Sequence, residues 1–331
     1  MTMHHHSVST AINTIVSEIK NEEQKLRSKY RFLRYQNLIG LGILLFALSG
    51  MLAMAWLYYA GKVNALVCVL CTAIFASLSH ELEHDLIHKQ YFRANSLLHN
   101  VMMLTVWFMR PNTINPWYRR KIHIHHHKTS GTKEDLEERL VGNGIRNPFL
   151  RLIVIVDGLL GLVIFRKALA RDISSFHFLK VFNAGFPITT SYYIVLYSAV
   201  FYHGFNLLIG EAYSYPWWLQ EYMNWVNILL VVLVLPNLLR SVSLNLVTSS
   251  MHYYGGVKNL LEQTHVINHW LVLPFQLFCF NFGTTHTIHH FVPNQPFYIR
   301  QWLSPRILPI LKEHGVRFND FESIRNANRY A

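Results

Sequence analysis

Apolar residues along this chain collect into long unbroken runs. Residues 38–60 form a 23-residue segment without a charged side chain, and about 20 such residues cross a bilayer as a helix. A second run, 63–79, follows after a hinge of only Gly61 and Lys62; a third, 186–209, is uncharged and contains His203; a fourth, 222–239, stops at Arg240. The pattern predicts an all-α integral membrane protein with four transmembrane helices. Three further apolar stretches read differently. Residues 97–109 are too short to span, 149–165 contain Arg151 and Asp157, and 266–280 contain Asn268, His269, Pro274 and Gln276. These are expected to be interfacial or protein-buried helices. The domain plan is then a basic N-terminal segment (1–37), a membrane domain (38–302) and a C-terminal tail (303–331). No cleavable signal peptide is expected, because residues 20–34 are a polar, basic lead-in and the first apolar run already has full spanning length. His4 to His6 are set aside from fold reasoning.

Charge orients the runs. Formal net charge is +12, and only 15% of residues are charged, against about 25% in ordinary soluble domains. Of the 30 Lys and Arg, 29 fall on one side of a four-span arrangement, Lys62 being the exception. The positive-inside rule makes that side cytoplasmic, both termini included. The basic balance is thereby a topology signal and calls for no nucleic-acid partner. Three cysteines exclude a disulfide framework and any four-cysteine metal site; Cys68 and Cys71 lie in the second span and read as packing thiols.

Histidine is the unusual component: 20 His against 18 Asp plus Glu. Many of them are clustered. The second span runs into His80-Glu-Leu-Glu-His84-Asp-Leu-Ile-His88, where His84 and His88 stand one helical turn apart on one face. Next comes His123-Ile-His125-His126-His127, in which His123, His126 and His127 share a helical face and His125 points elsewhere. After the fourth run, His286-Thr-Ile-His289-His290 repeats that spacing. No span separates the first two clusters and two separate the second from the third, so all three lie at one membrane face. Imidazole suits iron, zinc, copper and nickel, but one tetrahedral zinc takes only four ligands. So many neutral nitrogens fit two octahedral metals with open positions.

Other chemistries explain less. Carboxylate di-iron proteins place Glu and Glu-x-x-His on facing helices; Glu81-x-x-His84 and Glu262-x-x-His265 match, but leave both H-x-x-H-H clusters unused. His80-Glu81-Leu82-Glu83-His84 matches the H-E-x-x-H pattern of zinc metalloproteases, which needs one further ligand and predicts nothing at 123–127 or 286–290. Solvated cytoplasmic histidines would have no reason to share helical spacing and membrane depth.

The H-D-x-x-H, H-x-x-H-H and H-x-x-H-H boxes, in this order and with these apolar gaps, resemble the membrane fatty acid desaturase and hydroxylase superfamily. Two stretches, from His126-His127-Lys128 to Leu140 and from Phe278-Cys-Phe-Asn-Phe-Gly283 to Gln301, are similar to a bacterial branch of it. The likeness runs from about residue 38 to 302. It implies a fold of four membrane helices beneath a cytoplasmic helical cap that holds two irons. The implied ligands are His84, His88, His123, His126, His127, His286, His289 and His290. A ninth, His252, comes from Thr248-Ser-Ser-Met-His252-Tyr-Tyr254-Gly255, similar to the N-x-x-x-H-x-Y-G segment of acyl-CoA desaturases. Thr248 stands where those enzymes have an Asn that reaches iron through water.

His80, two turns before His88 on the same face, is open as a partner of a ligand or as a ligand itself. Asp85, Glu81, Glu83, Asp135 and Glu262 are possible acceptors for ligand N–H groups. His265, His269, His99 and His203 lack box spacing and read as packing or hydrogen-bonded residues. The implied activity is O2-dependent insertion of a double bond into a lipid acyl chain, with O2 as co-substrate. Hydroxylation and terminal-alkene-forming decarboxylation are the alternatives within the superfamily. Trp107, Trp117, Tyr118, Phe278 and Phe280 could line an acyl tunnel, and Arg119, Arg120 and Lys121 could hold a head group. No H-P-G-G haem motif and no cysteine cluster occurs, so a separate electron donor of ferredoxin, rubredoxin or cytochrome b5 type, with its reductase, is implied. The expected location is multi-pass in the inner (plasma) membrane if bacterial, with the site facing the cytoplasm.

Overall fold

The computed structural model describes residues 2–210 and 214–330. Helix α1 (Thr2–Lys29) leads to two long apolar helices, α2 (Gln36–Tyr59) and α3 (Ala65–Ile87), joined by a short connection. A shorter apolar helix, α4 (Ser96–Met109), precedes α5 (Pro116–Thr129) and the single turn α6 (Leu136–Leu140). Then come α7 (Pro148–Val156), α8 (Gly158–Asp172), α9 (Phe178–Asn183) and the third long apolar helix, α10 (Ile188–Ile209). The fourth is a 35-residue rod, Trp217–Met251, made of α11 (Trp217–Leu229), a π-helical turn over Leu230–Val234, and α12 (Leu235–Met251). The chain closes with α13 (Leu273–Leu277), α14 (Phe282–Phe291), α15 (Phe297–Glu313) and α16 (Phe321–Arg325). Among the described residues there is no strand, only the isolated bridges His252–Thr264 and Val266–Phe318. The protein is all-helical, and four of its helices are long and apolar enough to cross a membrane.

Each predicted run becomes a long helix, but two run further than hydropathy indicates. The run 63–79 continues to Ile87, because from Ser79 onward the polar residues His80, Glu81, Glu83, His84 and Asp85 are buried in protein rather than lipid. The rod over 217–251 likewise carries Arg240 and Asn237, both buried, past the apolar run. Its π turn immediately precedes Pro236, whose missing N–H and ring cannot be fitted into an unbroken α-helix.

The shorter stretches divide. On α4, Met102, Met103 and Val106 are buried while Leu97, Val101, Leu104 and Phe108 are exposed, the two-sided pattern of a helix at an interface. Residues 149–165 break at Asp157, which caps α8 by accepting from Leu160 N at 2.9 Å. The expected helix over 266–280 is reduced to a 3-10 turn and α13, and Pro274 lies at the start of α13, where a proline is tolerated. The apolar core lies partly between α2, α3 and α4 (Leu44, Leu82, Leu86, Met102). A second part joins α1 to α14 and α15 through Ile15, Ile19, Leu26, Ile288, Leu303 and Ile307.

Candidate metal centre

Four elements bring imidazoles together: the end of α3, the face of α5, the residue after α12, and α14. Asn115 accepts from Tyr118 N at 2.8 Å and starts α5, with Pro116 in its first turn. Asp135 caps α6 through Glu138 N and also receives His126 Nδ1 at 2.8 Å. Helix α14 is pressed against the 266–280 segment at Gly283, where a Cβ would stand 2.6 Å from Gln276 Nε2 and 2.9 Å from Ile267 O. Only glycine leaves that space.

All nine histidines implied by the boxes converge. His84, His88, His123 and His289 form one group and His126, His252, His286 and His290 a second, with the ring nitrogens of each group within 4.8 Å of one another. His127 stands with the first: its Nε2 is 3.1 Å from His123 Nε2 and 3.0 Å from His289 Nε2. His88 and His123 approach Nε2 to Nε2 at 2.9 Å, and His290 Nε2 lies 3.2 Å from His252 Nε2 and 3.3 Å from His286 Nε2. His80 is buried with both ring nitrogens unpartnered and belongs to neither group. His125 is exposed. His265, His99 and His203 are bonded to Ser250 O, Tyr91 O and Asn227 Oδ1.

The outer ring nitrogens fix which way the inner lone pairs point. Nδ1 of His123 donates to Glu137 Oε2 (2.6 Å), His126 to Asp135 Oδ2 (2.8 Å), His252 to Thr248 O (2.9 Å) and His290 to Gln263 Oε1 (3.0 Å). A neutral imidazole has one N–H, so each of these rings, when neutral, turns a bare Nε2 lone pair inward. At about 3 Å with no proton between them, such lone pairs repel, whereas a cation among them would be bound by all. Protonation is a poor substitute at most positions. Burial, followed by the charge of His123, pushes His88 down to about 2. Burial and then His123 and His126 likewise hold His127 far below its ordinary range. His126 is the exception: burial opposes its charge, but Asp135, with Glu137 and Glu138, outweighs burial and lifts it to about 10. The donor set therefore fits two cations with imidazole ligation, and no zinc-type site accounts for nine rings.

Several partners of these rings carry no box signal. Burial works against ionisation of Glu137, but His123, His126 and Arg119 overcome it and hold its carboxyl well below the usual range. Glu138, pushed up by burial, accepts from Thr248 Oγ1 at 3.0 Å, so the Thr248 hydroxyl is engaged there rather than free. Arg300 Nη1 donates to His289 Nδ1 at 3.0 Å, and its Nη2 lies 3.3 Å from Glu81 Oε2 and 3.5 Å from Asp85 Oδ1. Of the five carboxylates singled out from sequence, only Asp135 touches a clustered ring. Glu81 and Asp85 act through Arg300, Glu83 pairs with Arg110 and Arg119, and Glu262 accepts from Lys258 N.

A cavity of about 770 Å³ reaches the imidazoles from between α8, α10 and α12, within the usual range of about 300–1,000 Å³ for small-molecule sites. Tyr118, Trp107, Trp117, Phe278 and Phe280 are not in its wall; Leu159, Leu162, Ile194 and Phe201 are. Arg119 also faces the cavity, whereas Arg120 donates to Leu86 O and Ile87 O at the end of α3 and Lys121 is exposed.

No curated protein matches the chain in a comparison of whole sequences. The fatty acid desaturase family profile, in contrast, matches residues 60–322, which include all three boxes, His252 and every wall of the cavity. The chain belongs to the fatty acid desaturase family.

Proposed function

We propose that this protein is an O2-dependent fatty acyl desaturase that inserts a double bond into a lipid acyl chain at a histidine-ligated di-iron centre. The observation that carries the reading is the convergence of nine imidazoles, four of them turned inward by outer hydrogen bonds at Nδ1, at the end of an apolar cavity. His84, His88, His123, His127 and His289 would hold one iron, and His126, His252, His286 and His290 the other. Iron so held would supply O2 activation and removal of hydrogen from an unactivated methylene. The chain's own residues do the positioning. Glu137, Asp135, Thr248 O and Gln263 orient ligand rings, and the aliphatic and aromatic wall of α8 and α10 excludes water and fixes which carbon is presented. Residues 38–302 would be the membrane domain, flanked by cytoplasmic segments, with the site and both termini facing the cytoplasm, a reading that the distribution of Lys and Arg supports. Electrons would arrive from a separate ferredoxin, rubredoxin or cytochrome b5 type donor.

Purification with metal analysis, together with lipid and headspace gas chromatography of a desaturase-deficient host expressing the chain, tests this. About two irons per chain and a new internal double bond are expected. One zinc and no iron would refute the centre, while an alcohol or a shortened terminal alkene would assign a sister reaction on the same metals.

A further inference from the structure

A buried guanidinium brings a full charge and five N–H donors out of water, so it is stable only when acceptors surround it. The cavity wall contains three arginines, Arg110, Arg119 and Arg240. Arg110 and Arg240 are each 1% exposed. Arg110 Nη1 and Arg119 Nη1 share a single acceptor, Glu83 Oε2. Arg119 Nη2 also lies 3.6 Å from Glu137 Oε1, whose other oxygen is taken by His123. Arg240 has no carboxylate partner among the described residues. Its Nη2 donates to Asn112 Oδ1 at 2.7 Å and its Nε reaches Asn237 Oδ1 at 3.4 Å. Both asparagines are fixed in turn, since Asn112 Nδ2 donates to Asn237 O and Asn237 Nδ2 to Met109 O, each at 3.1 Å. Arg110 Nε, Arg110 Nη2 and Arg240 Nη1 are left buried without any partner. Burial, then the charges of Arg240 and Arg119, hold the Arg110 pKa well below its ordinary value. The wall thus has more positive charge than its carboxylates balance and unused donors on rigid supports.

We infer that Arg240 and Arg110 dock the carboxylate of an un-esterified fatty acid at the inner end of the cavity, beside the metal centre. The inference rests on the proposed acyl-chain substrate and specifies its head group. A carboxylate supplies both the missing charge and the missing acceptor lone pairs, and guanidinium–carboxylate bonds are the strong, charge-assisted kind. An ester or thioester carbonyl supplies no charge. The apolar wall, Leu159 and Leu162 of α8 with Ile194 and Phe201 of α10, takes the chain. Arg119 stands one helical turn before His123 on α5 and is linked to it through Glu137. A head group held by this arginine cluster therefore keeps the first carbons of the chain, rather than the methyl end, beside the imidazoles.

The test uses the full chain in detergent, loaded with zinc so that no turnover occurs. Tritiated palmitic acid is bound and displaced with unlabelled palmitic acid, methyl palmitate or palmitoyl-coenzyme A. The acid should bind at least about tenfold tighter than the methyl ester. Arg240→Gln should weaken acid binding about tenfold and leave the ester unchanged, with Arg240→Lys intermediate and metal content equal in all three. Equal affinity of the wild-type protein for acid and ester would overturn the inference without any variant. So would an acid preference that survives in both Arg240→Gln and Arg110→Gln. Binding of the thioester alone would remove the carboxylate site and leave the acyl desaturase reading intact, whereas failure of every acyl probe to bind would remove both.

Discussion

Single side chains at this centre divide into those that face the space between the rings and those that hold the rings from behind. Loss of a facing ring removes a donor that no neighbour replaces. His126→Ala, His252→Ala and His289→Ala should each lose bound iron and abolish product, as read by metal analysis and gas chromatography. His125→Ala should keep iron, because His125 is exposed and outside both groups; equal iron loss there would contradict the helical phasing of α5. The holding residues should show a graded effect. Glu137 accepts from His123 Nδ1 at 2.6 Å and Asp135 from His126 Nδ1 at 2.8 Å, and losing such a partner typically weakens metal binding by about 10–100-fold. Glu137→Ala and Asp135→Ala should therefore need correspondingly more free iron for half-loading in a metal titration, with the nine rings still present. Asp135→Ala also removes the cap of α6, so its melting temperature should fall further than that of Glu137→Ala.

At the scale of elements, α14 is set by a close approach as much as by its own sequence. Gly283 lies against Gln276 Nε2, Ile267 O and Val247 Cγ1, the last 2.9 Å from where a Cβ would be. Gly283→Ala must shift α14 or the 266–280 segment, and overpacking of this kind costs about 1–3 kcal/mol. Thermal unfolding in detergent should show that loss, together with reduced iron, since His286, His289 and His290 move with the helix. This contact explains part of what could and could not be seen in sequence. The long helices and the three boxes were legible because periodicity and uncharged length are local properties, and His252 was legible through a short segment similar to known enzymes. The true lengths of α3 and of the 217–251 rod were not, because hydropathy cannot tell polar residues buried in protein from polar residues leaving the membrane. The helix expected over 266–280 failed because that stretch is tied to distant partners: Ile267 N to Gly283 O, Val266 N to Arg317 O, and Gln276 to Gly283 N. Glu137, Glu138 and Gln263 escaped notice for the same reason, their ring partners being fixed by packing rather than spacing. Arg240 reads as the charge that ends an apolar run and Arg110 carries no signal in the sequence; only folding brings them into one wall.

For the whole molecule, the centre ties together parts of the chain that are far apart in sequence, from α3 at one side to α14 at the other. A metal that binds only the folded arrangement stabilises it by mass action, about 2.7 kcal/mol at a free concentration one hundred times Kd. Iron removal by a chelator should accordingly lower the unfolding temperature, and the nine rings should make that shift far larger than in His126→Ala. Orientation in the membrane is the remaining property of the whole. The connection between α2 and α3 holds Lys62, the single cation on its side, while the α5–α6 region lies with the other 29. If all four long apolar helices cross the membrane, as proposed, these two regions lie on opposite faces. A cysteine introduced at Gly61, where an added Cβ meets nothing within 4 Å, should react with a membrane-impermeant maleimide in intact cells, even though its positive φ of 66° strains the substitution slightly. One at the exposed His125 should react only after permeabilisation. The native thiols leave little background, since Cys68 and Cys279 are buried and Cys71 is half-buried within α3. Labelling of both sites from outside would mean an odd number of crossings between α3 and α5, and the short apolar helix α4 would then have to be one of them.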